Sequence, residues 1–149
     1  MDHTRTLKRI ALVVVAIHFA VVVLHSAAHE VLSVKASPAQ LAFIFPVIIV
    51  APVVAGFMLL RFEKLGTVLL AASMFGSFVF GVYYHFVADT IDHVGHVARL
   101  EPPFWSQMFL ATSYLLAISE MVGAAVGVIL LLRASTTANP MERWCAASR

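Results

Sequence analysis

Four long apolar runs constrain what this chain can fold into more than any other feature. They cover approximately residues 10–32, 41–61, 66–88 and 104–132, and a helix needs about 20 apolar residues to cross a hydrocarbon core. Of the 149 residues 61% are hydrophobic, and a soluble domain could not bury this much apolar surface, because a small domain has a large surface for its volume. The sequence therefore predicts an all-α membrane protein with four transmembrane helices and the lipid bilayer as its main partner.

The connections and the basic residues predict how these helices are arranged. Only residues 62–65 join the second and third runs, so we expect antiparallel neighbours within an antiparallel four-helix bundle. Most basic residues lie on one side of the spans, where the positive-inside rule places the cytoplasm. Both termini and a polar tail, residues 134–149, are then cytoplasmic, and we expect a bacterial-type inner or cytoplasmic membrane. That side carries Arg5, Lys8, Arg9, Arg61, Lys64, Arg133, Arg143 and Arg149, and the other side carries Lys35 and Arg99.

The same residues exclude several classes of protein. The basic side chains lie at the ends of the apolar runs and form no stripe, so no nucleic-acid partner is expected. Cys145 is the single cysteine, which excludes an intrachain disulfide, a CxxC redox pair and a cysteine-based zinc site.

The first run has a second interpretation as a secretory signal. Basic residues precede the apolar residues 10–24, and Ser26-Ala27-Ala28 resembles a small-residue cleavage site. His18 would be unusual inside the apolar region of a signal, which favours a retained helix. A mature chain that began at His29 would lack two of the candidate site residues.

Histidines form a stripe on the first predicted helix. The spacings between His18, His25 and His29 bring all three within about 40° on a helix of about 3.6 residues per turn, and Glu30 lies beside them. Ionisable side chains are costly in lipid and usually mark a pathway or a site. The stripe therefore predicts a functional role for these histidines, whereas Glu30 is interpreted as an interfacial charge that could orient a ligand.

A second polar stretch runs from His85 to His96 at the end of the third run. If this helix extends past residue 88, toward residue 98, then His85, Asp89, Asp92 and His96 share a sector of roughly 60° with His93 beside it. No proline lies between His85 and Pro102, which favours this continuation. The alternative is a helix that ends earlier and a solvated outer loop.

The fourth run contains one acidic residue, Glu120. At about 1.5 Å per residue, it lies at a depth similar to that of His18, so the two could meet near the midplane as a proton relay. Gly123 and Gly127 form a GxxxG pattern that permits close approach of helices. It could serve packing within the chain, a homo-oligomer or a larger membrane complex.

Depth and face together predict a metal site shared between the first and third helices. The expected ligands are His25, His29, His85 and Asp89, because imidazole with carboxylate suits zinc, iron or copper. The groups expected to orient these ligands are Glu30, Asp92, His93, His96 and His18. Such a site would serve a metal-dependent oxidoreductase or hydrolase.

Three further functions remain open from the sequence. The first is a b-type haem electron carrier, with His25 and one of His85, His93 or His96 as axial ligands. The second is a proton or metal-ion transport component, in which a ladder of ionisable groups reaches Glu120. The third is a non-catalytic subunit of a membrane complex, because intramembrane polar groups sometimes only satisfy one another.

Overall fold

The computed structural model describes residues 3–136. Within this range the chain forms helices and no strands, and four of the helices are long and apolar enough to cross a membrane. This confirms the prediction of an all-helical chain with four membrane-length apolar helices. The helices are α1 (His3–Val31), α2 (Pro38–Arg61), α3 (Glu63–Val87), the single-turn α4 (Val94–Val97) and α5 (Pro103–Thr136). Most of the predicted polar tail, with Cys145, lies outside the described residues.

Two of the long helices contain a π-helical segment. In α2, Ile44–Val50 is π-helical and includes Pro46, whose ring lacks an N–H and disturbs the ordinary α-helical ladder. In α3, Tyr83–Val87 is π-helical and includes His85. A π turn adds one residue to the helix and so redirects the side chains around it, and such turns occur frequently at functional sites.

Helix α3 ends at Val87, earlier than the sequence indicated. The N–H of Ala88 donates to the Tyr83 carbonyl at 2.7 Å, and Ala88 itself is extended. The Thr90 hydroxyl donates to the Tyr84 carbonyl at 3.3 Å. Short polar side chains compete with helical hydrogen bonds in this way, and three of them follow Val87 within five residues. The continuous helix toward residue 98 is therefore replaced by a loop that carries α4.

Three buried apolar clusters follow one another along the long helices. The first, near the start of α1, joins all four long helices, the second lies at mid-length, and the third closes the end of α1 against α4 and α5. Many other large apolar side chains are exposed, as expected for a surface that faces lipid. The clusters are Ala11, Val14, Val15, Ala55, Leu59, Leu70, Met74, Val126 and Leu130; then Val21, Val22, Ile48 and Leu116; then Ala28, Leu32, Val34, Val97 and Phe109.

The GxxxG pattern of α5 is used within the chain. A Cβ atom on Gly127 would lie 2.9 Å from the Cα of Ala71, and one on Gly123 would lie 2.4 Å from the Cε of Met74. Both glycines are buried against α3. Their surface is thus covered by the chain itself, which is the first of the alternatives given for this pattern from the sequence.

Candidate metal centre

Three histidines from two helices converge near one end of the molecule. His25 and His29 lie one turn apart on α1, and His85 comes from the π-helical turn of α3. One ring nitrogen of each lies within 4.8 Å of the corresponding nitrogens of the other two. The ring centroids of His25 and His29 are 4.7 Å apart, and those of His25 and His85 are 4.9 Å apart. We call these three residues the histidine triad.

The Nδ1 atom of every triad histidine is held by an oxygen atom. His29 Nδ1 lies 2.7 Å from the Val34 carbonyl, and His85 Nδ1 lies 3.1 Å from the Asp92 carbonyl. A carbonyl oxygen can only accept, so both Nδ1 atoms carry the proton. His25 Nδ1 lies 2.9 Å from the hydroxyl of Thr112.

The Thr112 hydroxyl can serve as the acceptor for His25. The hydroxyl group itself donates to helix carbonyls: its oxygen lies 2.6 Å from the carbonyl oxygen of Met108 and 3.0 Å from that of Phe109. A lone pair on the hydroxyl oxygen is then free to accept from His25 Nδ1. In the tautomer that carries the proton on Nδ1 of all three neutral rings, each Nε2 atom presents a lone pair.

The bare Nε2 atoms face one another. The Nε2 atoms of His25 and His29 are 3.1 Å apart; two bare lone pairs would repel at this distance, so either a proton carried by His25 Nε2 or a bound cation joins them. A proton or a metal cation between them would turn this repulsion into attraction. Hydrogen bonding of Nδ1 to a protein oxygen while Nε2 faces a shared point is also how metal-bound histidines are oriented.

Phe109 of α5 fixes the triad from the side. Its side chain is fully buried, and its ring centroid lies 4.6 Å from that of His25, 4.8 Å from that of His29 and 5.3 Å from that of His85. This packing limits rotation of all three imidazoles. His25 and His85 are buried, while His29 is partly exposed.

A cavity of about 350 Å³ adjoins the triad and extends between the helices. Its mouth is bordered by the exposed Glu30 and Lys35, and Glu120 of α5 lines it as well. Along α5, Glu120 is eight residues from Thr112, about 12 Å at 1.5 Å per residue. The cavity therefore joins the triad to a carboxyl group at its deep end.

Glu120 and His18 meet at that depth, as their positions along the helices predicted. His18 Nδ1 lies 3.9 Å from Glu120 Oε1, and both side chains are 2% exposed. His18 Nε2 donates to the Ile48 carbonyl at 3.0 Å. The 3.9 Å separation is too long for a hydrogen bond.

The remaining sequence-predicted site residues lie outside the triad. Asp89 is exposed and lies 3.2 Å from His96 Nε2, so the loop directs its carboxylate to another histidine. His96 Nδ1 donates to the Thr90 carbonyl, and His93 Nδ1 accepts from the Gly95 N–H at the start of α4. These contacts organise the loop after α3.

Asp92 contributes through its backbone. Its carbonyl holds His85, while its buried carboxylate accepts a hydrogen bond from Gln40 Nε2 at 3.2 Å.

Thr112 and Phe109 were not predicted from the sequence. Both residues lie in the fourth apolar run among other apolar and hydroxyl residues. Nothing in that pattern indicates that these two contact the histidines.

Comparison with protein-family models, with curated proteins and with solved structures found no match to this chain. The functional assignment therefore rests on the geometry described above.

Proposed function

We propose that this protein is an integral membrane metalloprotein whose metal is bound by the histidine triad. The observation that carries the proposal is the arrangement of the three rings, because each Nδ1 has an oxygen partner and one nitrogen of each ring lies within 4.8 Å of the other two. Imidazole nitrogen suits zinc, copper and iron. Asp89 is not a ligand in this proposal, since its carboxylate is exposed and paired with His96.

The site is of the catalytic type. Structural zinc sites use four protein ligands, whereas catalytic ones use three and keep one position for water or substrate. The triad supplies three, and the adjoining cavity gives a small molecule access to them. A metal held here would act as a Lewis acid or redox centre, as in a hydrolase or an oxidoreductase.

A b-type haem fits this arrangement poorly. His25 and His85 contact each other directly, with ring centroids 4.9 Å apart, and Phe109 packs against both. A planar macrocycle would have to separate these rings. His93 and His96 lie in the loop after α3, bound to loop atoms.

The proposed setting is an antiparallel four-helix bundle with both termini in the cytoplasm. The positive-inside rule supports this orientation. The triad then faces the outer leaflet, near the ends of α1 and α3. In a bacterial-type cell the membrane would be the inner or cytoplasmic one.

Metal analysis of the purified protein tests the proposal. We expect one zinc, copper or iron ion per chain, lost in His25→Ala, His29→Ala and His85→Ala but retained in Asp89→Ala and in His96→Ala. The last two variants are matched controls, because they remove a carboxylate and an imidazole just outside the triad. Metal-free wild-type protein that also fails to take up Zn²⁺, Cu²⁺ or Fe²⁺ would refute the proposal.

A further inference from the structure

Glu120 in the deep part of the cavity lining and His18, which lies beside Glu120 and outside the lining, carry buried polar atoms without partners. The His18 Nε2–H group donates a hydrogen bond to the Ile48 carbonyl, so Nδ1 of the neutral ring carries no proton. Within the described residues, neither His18 Nδ1 nor Glu120 Oε2 has a hydrogen-bond partner, and Oε1 is 3.9 Å from His18 Nδ1. Leaving such groups buried and unpaired is costly. The geometry therefore calls for a donor at this position.

The cavity wall adds two constraints on that donor. Among the described residues, the buried Asp92 and Glu120 line the cavity, while the exposed Glu30 and Lys35 at its mouth offset each other in charge, so the lining charge favours a positive ligand. The Asp92 Oδ1 atom is also buried without a partner in the described part of the chain. Between these polar points the wall is apolar, which favours a ligand with a hydrocarbon body; it includes Val22, Ile44, Ile48, Phe80 and Leu116.

We propose that this cavity binds a small organic amine, with its ammonium group on Glu120, next to His18, and its apolar body along the cavity. An ammonium group has three donors, which matches His18 Nδ1 and the two Glu120 oxygens, whereas a hydroxyl group has one. A hydrated metal ion would leave the apolar wall without contact. The cavity volume of about 350 Å³ lies at the small end of ligand pockets.

This site stands apart from the proposed metal function. The ammonium group uses atoms at the deep end of the cavity, and the triad lies toward the mouth. The apolar body would extend toward the triad, which makes the amine a candidate substrate if a metal is bound there. Binding of the amine itself requires no metal.

The test uses n-hexylamine with the full-length protein in nanodiscs, after removal of metal by a chelator. Equilibrium dialysis of radiolabelled n-hexylamine, with empty nanodiscs subtracted, measures saturable binding. Competition with n-hexanol and with hexanoate separates the contributions of charge and chain. We expect one site per chain, bound about tenfold or more tightly by the amine than by the alcohol, because hydrogen bonds to charged groups are the stronger ones.

Two variants locate the site and a third serves as their control, with thermal denaturation used to check that each is folded. Glu120→Gln should weaken n-hexylamine about tenfold or more, while Glu30→Gln at the mouth should change it little. Gly81→Leu provides an independent test without loss of charge. A Cβ atom added at Gly81 would lie 3.6 Å from Glu120 Oε2, so the larger leucine side chain would fill this part of the cavity. It should abolish binding.

Three results would overturn the amine site: no saturable binding, equal competition by hexanoate, or unchanged affinity in Gly81→Leu. Metal content is measured separately on the same preparations. If the protein binds metal at the triad but does not bind n-hexylamine, only the amine site is rejected. Amine binding by a protein that takes up no metal rejects only the metal function.

Discussion

The Nε2 atoms of His25 and His29 lie 3.1 Å apart while the Nδ1 atom of each ring is bound to a protein oxygen. The Val34 and Asp92 carbonyls place the proton of His29 and of His85 on Nδ1, and the Nε2 atom of His29 faces that of His25. A cation at this point would be bound by both nitrogens. The triad is thus prepared for its ligand by contacts that do not involve the ligand.

Thr112→Val should weaken metal binding while the fold is retained. The substitution keeps the shape of the side chain but removes the oxygen that holds His25 Nδ1. Loss of an outer partner of a metal-bound histidine usually costs about 10- to 100-fold in affinity. Competition with a chelator of known affinity measures the change.

Thr112→Ser is the matched control for that variant, because it keeps the hydroxyl group. We expect its metal affinity to remain within a few-fold of wild type. An equal loss in the valine and serine variants would show that packing at residue 112, and not the hydrogen bond to His25, controls the site.

Asp92→Ala should affect the metal site less than Thr112→Val does. The contact to His85 comes from the backbone carbonyl of Asp92, which the substitution retains, and the side chain bonds to Gln40 instead. We therefore expect metal content near one per chain and a modest fall in thermal stability. Loss of the metal in Asp92→Ala would mean that the carboxylate itself acts on the site.

These contacts show how far sequence reasoning reaches in this protein. Helical periodicity placed His25 and His29 on one face, and counting residues along the helices brought His18 to the depth of Glu120. Both arguments depend only on regular helix geometry, which holds across those spans. The four apolar helices were predictable for the same reason.

Regular geometry fails near His85, and the sequence interpretation fails with it. A π turn encloses His85 and the helix ends at Val87, so Asp89 leaves the face that an α-helix would give it. Hydrogen bonds from the loop, such as that of Thr90 to Tyr84, determine this end. The role of Thr112 depends on which helices touch, and spacing along one helix carries no such information.

Metal removal should lower the thermal stability of the wild-type protein. A ligand that binds only the folded state stabilises it by about 2.7 kcal/mol at a free concentration 100 times its dissociation constant. We expect the midpoint of thermal unfolding to fall after chelation and to recover when the metal is restored. The triple variant His25→Ala, His29→Ala, His85→Ala should show the same midpoint with and without metal; a metal-dependent shift in that variant would place the binding site elsewhere.

Gly127→Ala should destabilise the protein, because α3 and α5 touch at this glycine. The new Cβ would lie 2.9 Å from the backbone and the Cβ of Ala71, atoms that cannot move without shifting the helix. Overpacking of this kind costs roughly 1–3 kcal/mol. The free energy of unfolding in mixed micelles, from titration with a denaturing detergent, measures the loss.

Gly56→Ala is the control for the backbone effect of the same substitution. Its Cβ would lie 3.5 Å from Val15 Cγ1, an ordinary van der Waals contact. Replacing a helical glycine without a clash stabilises by roughly 0.5–1 kcal/mol, so the two variants should change stability in opposite directions. A Gly127→Ala protein as stable as wild type would contradict the close packing of α3 on α5. Cross-linking of Gly127→Ala tests separately whether this glycine lies at an oligomer interface. If Gly127 packs only within the chain, the folded variant should have the same oligomeric state as wild type.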